Sequence, residues 1–281
     1  MVKLITDSTS DLSKEIYEKL NVEVLPLYVN FEEESYLDGV EITTEELYKK
    51  VEEKGMLPKT AAIPIDKFIE VFKKYVDEGY EVVYTGISRQ MSRTYENAVL
   101  AAREVAEDKI YVVDSMNLSS GIGLLLYKAA KDIEAGLSAK EVASKMEANT
   151  KLVLSQFVIE KMDYLYKGGR CSGVAAFMGT LLKIKPYIIV RDGKMSVGKK
   201  PIGKMKVALN ALLKQIEEDK DRVDLDHILI THSLAFEYRD YLYEKLSAMF
   251  PGVDIVSTVA GCVISSHCGQ GTIGILYMVK E

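Results

Sequence analysis

Histidine and cysteine are scarce in this chain, with three of each. The histidines show no ligand-like spacing, so the sequence offers no metal centre, which needs several donors converging on one point. Cys171, Cys262 and Cys268 are odd in number and lack paired spacing. A disulfide scaffold is thereby excluded and reduced thiols are expected. Long apolar runs are also missing. No segment approaches the ~20 apolar residues that a spanning helix needs, and the apolar run at the start, Val2-Lys3-Leu4-Ile5, is too short for a signal peptide. The expectation is a cytoplasmic protein without a membrane span. No basic arm or stripe stands out, and the formal net charge is −6, so a footprint for nucleic acid is absent. A chain of that charge does not attract anions globally; an anionic ligand would need local positive groups. Neither a G-x-S-x-G elbow nor a G-x-x-x-x-G-K-[ST] phosphate loop occurs, and no cofactor is called for.

What is present is ordinary globular usage: 281 residues, 48% hydrophobic and 28% charged, enough for one large domain or two ordinary ones. The first half repeats a strand-then-helix rhythm. Val2–Thr6, Val22–Phe31, Glu81–Ile87 and Lys109–Val113 read as strands, being short, apolar and rich in β-branched residues. Thr43-Thr44-Glu45-Glu46 reads as a helix start. Helical stripes follow at Ile65 to Val76 and Tyr95 to Val105, and Leu118–Ala135 is helical. Such alternation implies a largely parallel sheet covered by helices.

The second half changes character. Asp192-Gly193 sits between two apolar runs in Tyr187–Val197, a type I′ hairpin signal. Further strands are expected at Leu152–Ile159, His227–Thr231, Val253–Val259 and Thr272–Val279. Helices are expected with Met205, Leu209, Leu212 and Ile216 on an inner face, and at about Phe236–Phe250. The expected fold is therefore α/β with two subdomains, residues 1–155 with a parallel-rich sheet and residues 156–281 with a mixed one. No Pro/Gly/Ser-rich linker separates them, so intimate packing with a ligand cleft between them is expected.

Polar clusters sit where strands hand over to helices or loops, the position where doubly wound sheets bind ligands. Asp7-Ser8-Thr9-Ser10-Asp11 reads as helix capping by Ser10 or Asp11; a nucleophilic Asp7 lacks any accompanying magnesium site. Lys59-Thr60-Ala61-Ala62-Ile63-Pro64 reads as a connecting loop, with Pro64 in the first helical turn. In Ser88-Arg89-Gln90-Met91-Ser92-Arg93-Thr94-Tyr95, Ser92 stands at an N-cap, beside free amides that suit an anion. Val263 to Gly271 reads as a glycine-flanked polar turn carrying His267. Tyr164 to Ser172 places Lys167 and Arg170 beside a glycine pair. A serine paired with His267, acting as an acyl-ester hydrolase, remains an alternative, though no acidic orienter is evident.

Together these segments resemble the signature of the DegV family of fatty-acid-binding proteins. The resemblance is carried by Asp7-Ser8-Thr9-Ser10-Asp11-Leu12, by Tyr164-Leu165 with Lys167-Gly168-Gly169-Arg170 and Ser172, by Leu181-Leu182 and Ile184-Lys185-Pro186, and by His267-Cys268-Gly269-Gln270-Gly271. It implies a long-chain fatty acid, such as palmitate or stearate, buried at the subdomain interface without being chemically altered. Thr60 and Ser92 would then hold the carboxylate, with Arg170 and His267 lining the same end. The resemblance further implies presentation of the acid to a separate fatty-acid kinase. The chain departs from the family pattern at Ala61-Ala62-Ile63, at Arg89 and Arg93, and at Gln270, where the family usually has proline.

Overall fold

The structure is a computed structural model that describes residues 1–173 and 184–280; the Leu181-Leu182 pair lies outside them. Strands β1 (Val2–Asp7), β2 (Val22–Leu25), β6 (Glu81–Gly86) and β7 (Ile110–Asp114) form a parallel sheet in the order β2-β1-β6-β7. Its helices are α1 (Lys14–Lys19), α3 (Ile65–Asp77), α4 (Thr94–Ala106), α5 (Ser120–Glu134) and α6 (Ala139–Asn149). The parallel first sheet expected from the βα alternation is present. Helix α6 was not anticipated, although Ser138 and Glu141 form a reciprocal capping box at its start.

The expected single strand over Val22–Phe31 is two strands in different sheets. Pro26 follows β2, has no N–H to donate and ends the ladder. The chain then enters β3 (Tyr28–Phe31), which pairs antiparallel with β4 (Glu34–Leu37) and β5 (Lys59–Ala61). This small sheet and the following α2 (Thr44–Lys54), capped by Thr43 as its sequence indicates, fold against the parallel sheet.

A second large sheet runs β13-β12-β14-β8-β10-β11-β9. Its strands are β8 (Val153–Val158), β9 (Cys171–Ser172), β10 (Tyr187–Arg191), β11 (Lys194–Val197), β12 (Val223–His232), β13 (Asp254–Val259) and β14 (Ile273–Val279). Parallel and antiparallel pairings coexist in it, so the sheet is mixed, as the hairpin signal implied. At the tip, Asp192 and Gly193 have φ of 49° and 74°, the two positive values that a type I′ turn requires.

Helices α8 (Met205–Glu218) and α9 (Phe236–Met249) cover one face of this sheet, burying Met205, Leu209, Leu212 and Ile216 as expected. Helix α5 fills the space between the two large sheets. Leu4 and Val83 of the parallel sheet, Leu124 and Leu125 of α5, and Leu276 and Met278 of β14 share one core. A helix apolar on nearly all sides belongs in such a position, and each large aliphatic fully buried there contributes roughly 1.5–3 kcal/mol. The short helices α7 (Met162–Gly168) and α10 (Cys262–Cys268) pack together at the end of the second sheet. Among the described residues no helix is long and apolar enough to cross a membrane.

Candidate ligand-binding site

All four residues singled out from the sequence line one cavity of about 420 Å³, a size typical of small-molecule sites. Each arrives from a different element. Thr60 lies at the centre of β5, opposite Val29 of β3; the expected connecting loop is in fact a three-residue strand, too short to leave a periodic pattern. Pro64 occupies the cap position of α3 rather than its first turn.

Ser92 ends the loop after β6. It is not the N-cap residue, because α4 begins at Thr94 with Arg93 at the cap. Its hydroxyl still accepts the Thr94 N–H at 3.2 Å and lies 2.9 Å from Thr94 Oγ1. The Ser92 oxygen is thus fixed at the helix start. Arg170 follows Gly169, a left-handed residue with φ 65° that ends α7. Its guanidinium donates to Gly168 O at 2.7 Å.

His267 lies on α10. The expected polar turn is a buried helix, with glycine at each end; the glycines cap it rather than break it. Thr60 Oγ1 and His267 Nε2 are 2.8 Å apart. Burial, reinforced by the Arg170 charge, lowers the His267 pKa to about 4, so the imidazole is neutral at neutral pH. Among the described residues its buried Nδ1 has no hydrogen-bond partner. Gly168 permits this approach, since a Cβ there would stand 2.5 Å from Nδ1.

Arg89 and Arg93 also line the cavity. Arg89 is half-exposed and pairs with Asp114 at 3.2 Å. The cavity also has apolar walls. Ile87, Met91, Leu118 and Ile264 face the cavity and belong to a core cluster that continues through Ile122, Phe157 and Ile188. A smaller void of about 30 Å³ shares Leu118, Ile264 and Cys268 with it and is bounded by Phe157 and Leu276, together with polar residues including Ser119 and Thr231.

The sequence reading missed most of these apolar wall residues. Leu118, Met195 and Ile264 look like any other core positions, because periodicity reports burial but not neighbours. The Asp7–Asp11 motif also behaves differently from a cap of α1, which Ser13 caps instead. Asp7 accepts from Ile87 N–H and Asp11 from Gly261 N–H.

Fold and cavity together define an α/β protein with a cavity lined by both polar and apolar side chains. The chain belongs to the DegV family, described as "Uncharacterised protein, DegV family", which it matches over residues 1–280. A DegV domain-containing protein of Clostridium perfringens is 35% identical over 280 residues, covering 99% of this chain and 98% of that one. Among solved structures, a DegV family protein from Thermus thermophilus described by its fatty acid binding superposes with a TM-score of 0.91 at 30% identity, covering 99% of each chain. A stearic-acid-binding protein from Eubacterium ventriosum superposes with a TM-score of 0.86 at 30% identity, covering 100% of this chain and 99% of that one.

Proposed function

We propose that this chain binds one long-chain fatty acid in the 420 Å³ cavity without chemical conversion and presents its carboxylate to a separate fatty-acid kinase. The supporting observation is that Thr60, Ser92, Arg170 and His267 line one cavity that adjoins an apolar core cluster. In this reading the cavity divides subdomain 1–155 from subdomain 156–281.

The roles follow from donor and acceptor arithmetic. A carboxylate accepts only, so Thr60 must turn its single proton towards the ligand and accept the N–H of His267 Nε2. The imidazole then carries hydrogen on Nε2, and the orphaned Nδ1 is a bare lone pair. An unsatisfied buried acceptor is the less costly of the two alternatives. Ser92, already accepting from Thr94, donates its own proton. Arg170 and the free amides at the start of α4 supply the local positive potential that a chain of charge −6 lacks.

The same geometry speaks against serine hydrolysis by His267. The hydroxyl on Nε2 belongs to a threonine, and among the described residues no carboxylate orients Nδ1.

Isothermal titration with hexadecanoate and hexadecanol tests the reading. The alcohol binds more weakly than the acid, and Ser92→Ala weakens acid binding by ~1–3 kcal/mol, the worth of a hydrogen bond to a charged group. An alcohol that binds the unmutated protein as tightly as the acid refutes the head-group assignment. Ester hydrolysis that disappears in Ser92→Ala, with no measurable acid binding, overturns the binding-protein reading.

A further inference from the structure

The Asp7–Asp11 motif does not cap α1, and neither of its aspartates lines the acid-binding cavity. We propose that Asp7, Asp11 and Asp38 are positioning residues for that cavity's polar end, holding the Ser92 loop and helix α10 in register. The proposal rests on the head-group reading given above.

Each carboxylate grips backbone that leads to a site residue. Asp7 accepts from Ile87 N–H at 2.9 Å and from Tyr84 OH at 3.0 Å. Ile87 opens the loop that ends at Ser92. Asp11 accepts from Gly261 N–H at 2.8 Å, and Asp38 accepts from Cys262 N–H at 2.7 Å. These are the first amides of α10, the helix that carries His267. Gly261 lets the two acids converge, since a Cβ there would stand 3.2 Å from an oxygen of each.

Asp38 is also referenced to the Thr60 side. Its N–H donates to Leu27 O at 2.9 Å, immediately before β3, and β3 is the strand on which β5 and Thr60 are aligned. Asp38 therefore ties both partners of the Thr60–His267 contact to one frame. Helix α10 is only ~10 Å long at 1.5 Å per residue, so tilting its start displaces His267 at its end.

The arrangement is costly on stability grounds alone. All three carboxylates are buried, and among the described residues no lysine or arginine pairs with them. Burial raises all three above the ordinary carboxylate range, Asp11 furthest. Hydroxyl donors complete their shells: Ser8 to Asp38 at 2.9 Å and Ser119 to Asp11 at 2.5 Å. Buried charge satisfied in this way contributes little net stability, but it fixes geometry tightly.

The test is the ratio of hexadecanoate to hexadecanol affinity, measured on variants confirmed as folded by circular dichroism. Asp38→Ala lowers that ratio by about tenfold or more, the loss of roughly one charge-assisted hydrogen bond, while alcohol affinity holds. Asp38→Asn retains the ratio, because its side-chain oxygen still accepts from Cys262. Ser8→Ala, which removes the hydroxyl that donates to Asp38 and accepts from Leu27 N–H, gives an intermediate fall. A folded Asp38→Ala protein with an unchanged ratio overturns the proposal, and so does equal weakening of acid and alcohol, which marks a merely structural role. Where Asp38→Ala does not fold, an unchanged ratio in Ser8→Ala overturns it. An unmutated protein that does not prefer the acid refutes the head-group reading itself, and the proposal with it.

Discussion

Octanoate is expected to bind up to about four powers of ten more weakly than hexadecanoate. The cavity's polar end can make only a few hydrogen bonds to a carboxylate, each netting about 1.5–3 kcal/mol. Ile87, Met91, Leu118 and Ile264 give the cavity apolar walls, and each methylene moved against them from water gains about 0.8 kcal/mol. Removing eight methylenes therefore forfeits up to ~6 kcal/mol, offset partly by the smaller cost of ordering a shorter chain. Titration calorimetry at one ionic strength reads the difference directly. A loss below about tenfold would mean that the tail does not supply most of the affinity.

The second large effect concerns stability. Gly86 closes β6 immediately before Ile87, with its α-carbon packed against the Asp7 side chain. A Cβ at this position would overlap the Asp7 carboxylate and the Tyr84 hydroxyl and lie 2.8 Å from Asp7 Cγ. Gly86→Ala is therefore expected to destabilise the protein by about 3–5 kcal/mol. Overpacking alone costs about 1–3 kcal/mol, and a buried carboxylate that loses its donors adds about as much again. Denaturant unfolding followed by circular dichroism checks this; a loss under about 1 kcal/mol would show that Asp7 can yield without cost.

Much of the fold was legible because burial leaves periodic traces. The stripe Met205, Leu209, Leu212, Ile216 marks a helix with one covered face, and all four are buried in α8. Asp192-Gly193 gave the hairpin because few residues tolerate two successive positive φ values. What escaped was either too short or too uniformly buried to show a period. The strands β3, β4 and β5 have three or four residues each, at most two alternations. In α10 every residue except His267 is buried, so no polar face distinguishes this helix from a glycine-flanked turn.

The candidate site was legible in part for a different reason. Thr60, Ser92, Arg170 and His267 were reached through motif resemblance, and the structure brings them to one cavity. Ser92 was misplaced by one residue relative to its cap, an error within the ordinary uncertainty of helix ends. Asp38 carried no signal, since a single aspartate before glycine reads as a turn; its role depends on a partner more than two hundred residues away, Cys262.

The most direct test of the account is native mass spectrometry of the protein purified without added lipid. The account predicts one bound species per chain, with the mass of a long-chain fatty acid, released when the protein is denatured and exchanged by added hexadecanoate. A ligand-free chain that still takes up no hexadecanoate when it is supplied would contradict it.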